Sequence, residues 1–224
     1  MSAPDWNSWA KRTPGFSGAD LAGLVNEAAM AAAREGALGV GERHLQAAYS
    51  KSLIGLPSGR HKSSAEMNLT ALHEAGHAVV NEAMRKSLGA EGLSGFRTVE
   101  HVSIVPAGGT GGVTQFSQPE EAERMPESRR VLLAELAVSM GGRAAEELLT
   151  GKGGATMGAR SDIDQATRMA YEMVAVGGLS EAIGPRSLDV VKPSEDLMRQ
   201  VDDEVNQLLS KALGAAREAL AQNR

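Results

Sequence analysis

The sequence predicts a mainly α-helical protein with one small β-sheet, an α+β chain in which the sheet is the minor part. Three observations carry this. Aromatic residues make up only 3% of the 224 residues, and alanine, leucine, valine and methionine supply the apolar content, a mix that favours helices. Helix-start signatures recur: Ser17 with Asp20, Ser63 with Glu66 and Ser161 with Asp164 each set a hydroxyl three residues before a carboxylate, the spacing of a capping box. Only two short runs, Thr98–Pro106 and Gly112–Ser117, are rich in valine, isoleucine, threonine and phenylalanine and read as strands.

Taken in order, residues 1–16 are polar and irregular. A helix then starts at Ser17, with Phe16 and Leu21 spaced for a hydrophobic staple, and runs through Leu24, Val25, Ala28 and Ala32 to Gly36. A second helix covers Glu42–Ser52. Gly55–Ser63 has the glycine, proline and serine content of a linker, and we place a boundary there: 1–55, linker 56–63, and 64–224. A helix from Ser63 to about Ser87 carries a stripe of Leu69, Leu72, Val79 and Ala83 for a core. A glycine-containing loop, Gly89–Arg97, leads into the strands. Pro126 starts a helix through Leu132, Leu136 and Met140, which Gly141-Gly142 interrupts before the pattern ends near Gly151. Another helix runs from Ser161 through Met173, and a charged helix or helical pair fills the chain from Pro193 onward.

Composition excludes several function classes. The formal net charge of -5 offers no basic footprint for nucleic acid. The absence of cysteine rules out disulfides, thiolate metal sites and a cysteine nucleophile, so any metal must be held by histidine and carboxylate. No stretch of about 18 apolar residues marks a membrane span or a signal-peptide core.

The chemistry concentrates in Thr70-Ala71-Leu72-His73-Glu74-Ala75-Gly76-His77-Ala78-Val79-Val80. Residues four apart share a helix face, so His73 and His77 can present two imidazoles to one ion. Glu74 is placed to reach a metal-bound water rather than the metal. Two nitrogen ligands, a carboxylate base and an open coordination position suit zinc hydrolysis of an amide. Taken alone, the motif leaves open that the two histidines are ordinary half-buried residues.

Several ordered segments carry a family resemblance. Arg12-Thr13-Pro14-Gly15-Phe16-Ser17-Gly18-Ala19-Asp20-Leu21 with Leu24-Val25-Asn26-Glu27-Ala28-Ala29, the His73–His77 helix, Val102-Ser103-Ile104-Val105-Pro106 and Gly112-Val113-Thr114 form the first part of the set. Gly141-Gly142-Arg143-Ala144-Ala145-Glu146-Glu147, Ser161-Asp162-Ile163-Asp164-Gln165-Ala166-Thr167 and Gly178-Leu179-Ser180-Glu181 complete it. Over nearly all of residues 10–215 the chain resembles the C-terminal part of the FtsH family of membrane-bound AAA zinc metalloproteases. The resemblance implies an ATPase lid subdomain in residues 1–55 and a zinc peptidase domain in 64–224.

The same resemblance implies the parts of the site and the assembly. Asp162 becomes the third zinc ligand beside His73 and His77, a choice the residues alone do not make, since Asp164, Glu146 and Glu147 are equally available. Glu146 and Glu147 are then structural groups or orient the histidines. Glu74 is the general base. Substrates are unfolded or membrane-protein chains, the assembly a hexameric ring, the location a membrane, and ATP enters only through an ATPase segment upstream. No Gly-x-x-x-x-Gly-Lys-Ser/Thr phosphate loop occurs within these residues, so the chain is expected to be a fragment of a longer protease or a shortened relative. A catalytically silent scaffold subunit is the alternative. Gly112, Val113 and Thr114 form either an edge strand for an extended substrate or an ordinary core strand, and the sequence favours neither. The chain departs from the family pattern in a longer Ser87–Thr98 stretch, in Ala107-Gly108-Gly109 where a more basic turn is usual, and in Ser161 where asparagine is usual.

Overall fold

A computed structural model describes residues 4–13, 16–54, 62–106, 110–117, 119, 126–190 and 192–223. The architecture is mainly α with one two-stranded antiparallel sheet, as the composition led us to expect. The 55–61 part of the expected linker, Pro14-Gly15 and the Ala107-Gly108-Gly109 turn lie outside the described residues.

The N-terminal region packs three helices around a small core. The first is a departure from the sequence reading: residues 6–12 are not irregular but form α1 (Trp6–Arg12), capped by the Asp5 carboxylate, which accepts from the Asn7 and Ser8 amides. What the local pattern hides is tertiary. Trp9 is buried and meets the Tyr49 ring edge-on, centroids 5.5 Å apart, so packing fixes a helix whose exposed residues carry no periodic signal. Helix α2 (Gly18–Arg34) begins with the expected capping box between Ser17 and Asp20. The staple does not form: Phe16 packs towards Tyr49, while Leu21 stays exposed. Helix α3 (Glu42–Ile54) brings Leu45, Ala48 and Tyr49 against Leu24 and Ala28.

The second region is built on α4 (Ser64–Ser87), which starts with the Ser63–Glu66 capping box. The expected Gly89–Arg97 loop is instead a short helix, α5 (Gly89–Gly95). Gly89 takes φ +76°, a conformation glycine adopts without strain, and this lets the chain leave α4 and turn into α5 at once. Strands β1 (Thr98–Ser103) and β2 (Val113–Ser117) pair with Val102 opposite Thr114 and Val99 opposite Phe116. The register slips between Val99 and His101, so Glu100 is a bulge residue. Both strands are shorter than the apolar runs, because residues 104–106 and Gly112 leave the ladder.

Four further helices complete this region: α6 (Arg129–Ser139), capped by Ser128 rather than started at Pro126, α7 (Gly141–Thr150), α8 (Arg160–Tyr171) and α9 (Glu195–Gln222). The C-terminal segment is one helix, not a pair. Two 3₁₀ turns, Lys152–Gly154 and Met157–Ala159, link α7 to α8, and a π-helical turn, Glu172–Val176, follows α8. Ser161 caps nothing. Helix α8 begins one residue earlier, after Ala159, with no side-chain cap, because the Met157–Ala159 turn already leads the chain into helical geometry.

The core of this region joins Val80 of α4, Leu136 and Ala137 of α6, Ala144 and Ala145 of α7, Ala166 and Ala170 of α8, and Val201, Leu208 and Ala216 of α9. So many alanines let helices approach closely, since axis separation depends on side-chain size at the contact. Helices α4 and α7 come together at a pair of glycines. A β-carbon on Gly76 would lie 2.5 Å from the Gly141 carbonyl oxygen, and one on Gly141 would lie 2.8 Å from that of Gly76. Glu147 clamps α7 to α9 by accepting from Arg143 Nε at 2.9 Å and Arg217 Nη2 at 2.6 Å. Burial works against its charge, but these bonds prevail and hold the carboxyl below its ordinary pKa.

Arg12 joins the two regions. Its guanidinium lies 3.8 Å from the Trp9 ring centroid and 3.3 Å from Glu42, and its Nε donates to Glu100 on the bulge of β1. Among the described residues, no helix is long and apolar enough to cross a membrane.

Candidate metal centre

His73 and His77 project from one face of α4, as their spacing requires, and Asp162 meets them from the first turn of α8. His73 Nε2 lies 3.1 Å from Asp162 Oδ2 and 3.2 Å from His77 Nε2, and His77 Nε2 lies 3.4 Å from Asp162 Oδ2. A tetrahedral ion with bonds of about 2.0–2.1 Å sets its ligand atoms about 3.3–3.4 Å apart, so this triangle has the size of one face of a zinc polyhedron.

The far side of each ring explains why these atoms converge. His77 Nδ1 donates to the Val138 carbonyl at 2.8 Å, and His73 Nδ1 donates to Glu146 Oε1 at 2.9 Å. With those protons on Nδ1, both Nε2 lone pairs face Asp162 Oδ2, giving three acceptors that need a shared cation. A proton on Nε2 is the other cation these acceptors can share, and the pKa shifts follow from it. Burial disfavours a charged His73, yet hydrogen bonds to Asp162 and Glu146 outweigh it and raise its pKa above the usual imidazole value. Burial pushes the Asp162 carboxyl up, but hydrogen bonds from protonated His73 and His77, with their charges, together outweigh it and lower its pKa to about 2.

Glu146, one of the two carboxylates expected to orient a histidine, does so. It is almost wholly buried, and its second oxygen accepts from the Thr156 amide at 2.8 Å and the Thr156 hydroxyl at 3.0 Å. One carboxylate therefore ties α4 to the turn that leads into Asp162. Glu147 does not share the role, since it turns to Arg143 and Arg217 on the other side of α7.

Glu74 faces a cleft of about 740 Å³ lined by His73, His77, Asp162, Gly112, Val113 and Thr114, among others. The Thr114 hydroxyl lies 2.7 Å from Glu74 Oε2 and donates to it, with the Glu74 carbonyl a second acceptor at 2.9 Å. Gly112 closes over the same carboxylate: a β-carbon there would lie 2.8 Å from Glu74 Oε1. Glu74 is thus oriented by β2 without touching the metal triangle's own bonds. Among the described strands, β2 pairs with β1 alone.

Several contributors escaped the sequence reading. The Val138 carbonyl could not be found from residue type, because any residue supplies one. The sequence marks Thr114 for a substrate strand, and nothing in it signals the bond to Glu74. Gly142 does carry a signal, as part of the pair expected to interrupt a helix. Its meaning is proximity: a β-carbon at 142 would lie 2.4 Å from the His73 ring. Arg97, which also lines the cleft, sat in a segment expected to be loop.

Comparison with known proteins fits this geometry. The sequence pattern of Peptidase family M41 matches residues 60–224, and that of the AAA+ lid domain matches residues 4–47. The chain is 35% identical to ATP-dependent zinc metalloprotease FtsH 3 of Synechocystis, over 98% of this chain and 37% of the relative. It is 41% identical to ATP-dependent zinc metalloprotease FTSH 11, chloroplastic/mitochondrial, of Arabidopsis thaliana, over 93% of this chain and 24% of that protein. A further relative, ATP-dependent zinc metalloprotease FtsH of Aquifex aeolicus, is 35% identical over 90% of this chain and 32% of its own length. The chain spans between a quarter and two fifths of the length of these relatives. A two-histidine, one-carboxylate triangle carried on helices behind an AAA+ lid, with a family match over most of the sequence, has one reading: the chain belongs to peptidase family M41.

Proposed function

We propose that this chain is the proteolytic region of an ATP-dependent zinc metalloprotease, an endopeptidase that cleaves unfolded polypeptides. The single observation that carries the reading is the convergence of His73 Nε2, His77 Nε2 and Asp162 Oδ2 within 3.4 Å of one another, beside a Glu74 held at the same cleft. His73, His77 and Asp162 would hold the ion. Zinc at that position would lower the pKa of a bound water and polarise a peptide carbonyl.

The remaining steps belong to the chain. Glu74 takes the proton of the attacking water on a carboxylate already oriented by Thr114 and Gly112. The same carboxyl then delivers that proton to the leaving amine. Substrate lies extended along Gly112, Val113 and Thr114, adding a strand to the β1–β2 pair so that its carbonyl faces Glu74. The ATP dependence in the relatives' names supports reading this chain as the peptidase part of a membrane-associated hexameric ring in which an ATPase segment feeds chains to the cleft.

The test is zinc stoichiometry together with casein cleavage, for wild type and Glu74→Gln. The expected result is one zinc per chain in both, with cleavage in wild type alone. Metal-replete wild-type protein that holds no zinc overturns the reading.

A further inference from the structure

Arg97 stands in the cleft without a part in metal binding or proton transfer. It precedes β1, and its side chain is only 17% exposed. Its guanidinium is fixed from three directions. Nε donates to Asn81 Oδ1 at 3.2 Å, Nη2 pairs with Glu135 Oε2 at 2.7 Å, and the group lies 4.3 Å from the Phe116 ring centroid. Asn81 returns the contact by donating Nδ2 to the Arg97 carbonyl at 3.0 Å. Burial lowers the Arg97 pKa and Glu135 counters it, while guanidinium stays cationic in proteins.

The position of this group relative to the chemistry is set by the elements that hold it. Asn81 is one turn beyond His77 on α4, about 6 Å along the helix axis. Phe116 is two residues beyond Thr114 on β2, on the same face and about 7 Å away. Both steps lead away from the Glu74–His77 chemistry by about the spacing between neighbouring same-face side chains of an extended chain. Phe116, Arg97 and Val138 line the cleft there.

We infer that Arg97 is a specificity-determining residue for the proposed peptidase: it favours acceptor-bearing side chains, glutamate or glutamine, and rejects lysine and arginine beside the scissile bond. Guanidinium has five N–H donors and no acceptor, and the bonds to Asn81 and Glu135 use two of them. A cationic, donor-only substrate side chain meets like charge and no acceptor there, whereas a carbonyl or carboxylate oxygen meets a donor. Glu135 offsets much of the net charge, so donor-acceptor matching contributes alongside charge.

This inference rests on the protease reading, and the experiment separates the two. Zinc-loaded chain is given casein and a peptide library randomised on both sides of the scissile bond, for wild type, Arg97→Lys and the double variant Arg97→Met with Glu135→Gln. In wild type, glutamate and glutamine are expected to exceed lysine by at least tenfold in kcat/KM at one flanking position. In the double variant that ratio falls to near unity, while casein cleavage persists. Arg97→Lys keeps charge and loses the fork, and its ratio falls between. Wild type that cleaves casein but shows no selection against lysine overturns the Arg97 assignment and leaves the protease reading standing. Wild type that cleaves neither overturns both. If the double variant does not fold, the wild-type profile and Arg97→Lys decide the matter.

Discussion

Among the described residues, two buried histidine sites meet carboxylates, and only one gathers the ligand atoms a metal needs. In the N-terminal region His44 is almost fully buried: its Nδ1 accepts from the Gly41 amide at 2.9 Å and its Nε2 faces Glu35 Oε2 at 3.1 Å. Nδ1 meets a donor, and Nε2 lies between the Glu35 carboxylate and Arg43 Nε at 3.3 Å, so the ring is a staple between α3 and the end of α2. At His73 and His77 the roles are reversed: Nδ1 donates, to Glu146 and to the Val138 carbonyl, and the Nε2 atoms are turned towards each other and towards Asp162. A metal site thus differs from a structural histidine less in its carboxylates than in which atoms are left facing one another.

The largest expected effect breaks the chemistry and leaves the triangle. Glu74→Gln should reduce casein cleavage by about 10²–10⁴-fold, the range of a general base, with zinc content unchanged. Gly142→Ala attacks the triangle through space. Its β-carbon would lie 2.4 Å from a His73 ring that Glu146 holds in place, so zinc affinity should fall at least 100-fold, while the lid helices stay folded by circular dichroism. Glu146→Gln removes the charged partner of His73 and should weaken zinc by about 10–100-fold, read by competition with a chelator. Acid should do the same gradually. Because Asp162 and Glu146 raise the His73 pKa, protons compete with metal from above the usual imidazole range, so zinc affinity should rise with pH and level off only above the raised value. Titration from pH 5.5 to 8 checks the sign. His44→Leu completes the comparison: it leaves the Gly41 amide unpaired and should cost about 1–3 kcal/mol of lid stability, with no change in zinc stoichiometry.

The legible part of this fold is what short-range physics writes into a sequence. The Ser17–Asp20 and Ser63–Glu66 boxes, the α4 stripe and the mainly helical class all depend on neighbours within a few residues. The unread parts depend on distant contacts. Helix α1 exists because Trp9 packs on Tyr49, forty residues away, and α5 because Gly89 can turn backwards. The Ser161–Asp164 spacing misled, since a preceding 3₁₀ turn takes over the cap's task. At the site, His73, Glu74 and His77 stand out as a motif. Asp162 came from resemblance alone, 89 residues from His73 in the chain. Glycine was the hardest to read, because Gly76, Gly141 and Gly142 matter for atoms they lack.

The shared grip of Glu146 has a thermodynamic side. One oxygen holds His73 and the other holds Thr156, so the posture of the ring and the order of the 152–159 turns are two ends of one equilibrium. Whatever loosens those turns must lower the affinity of the triangle for its ion, and an ion bound there must tighten the turns by the same factor. Metal occupancy should therefore be audible at a distance, as slowed amide hydrogen exchange in a loop that contributes no ligand.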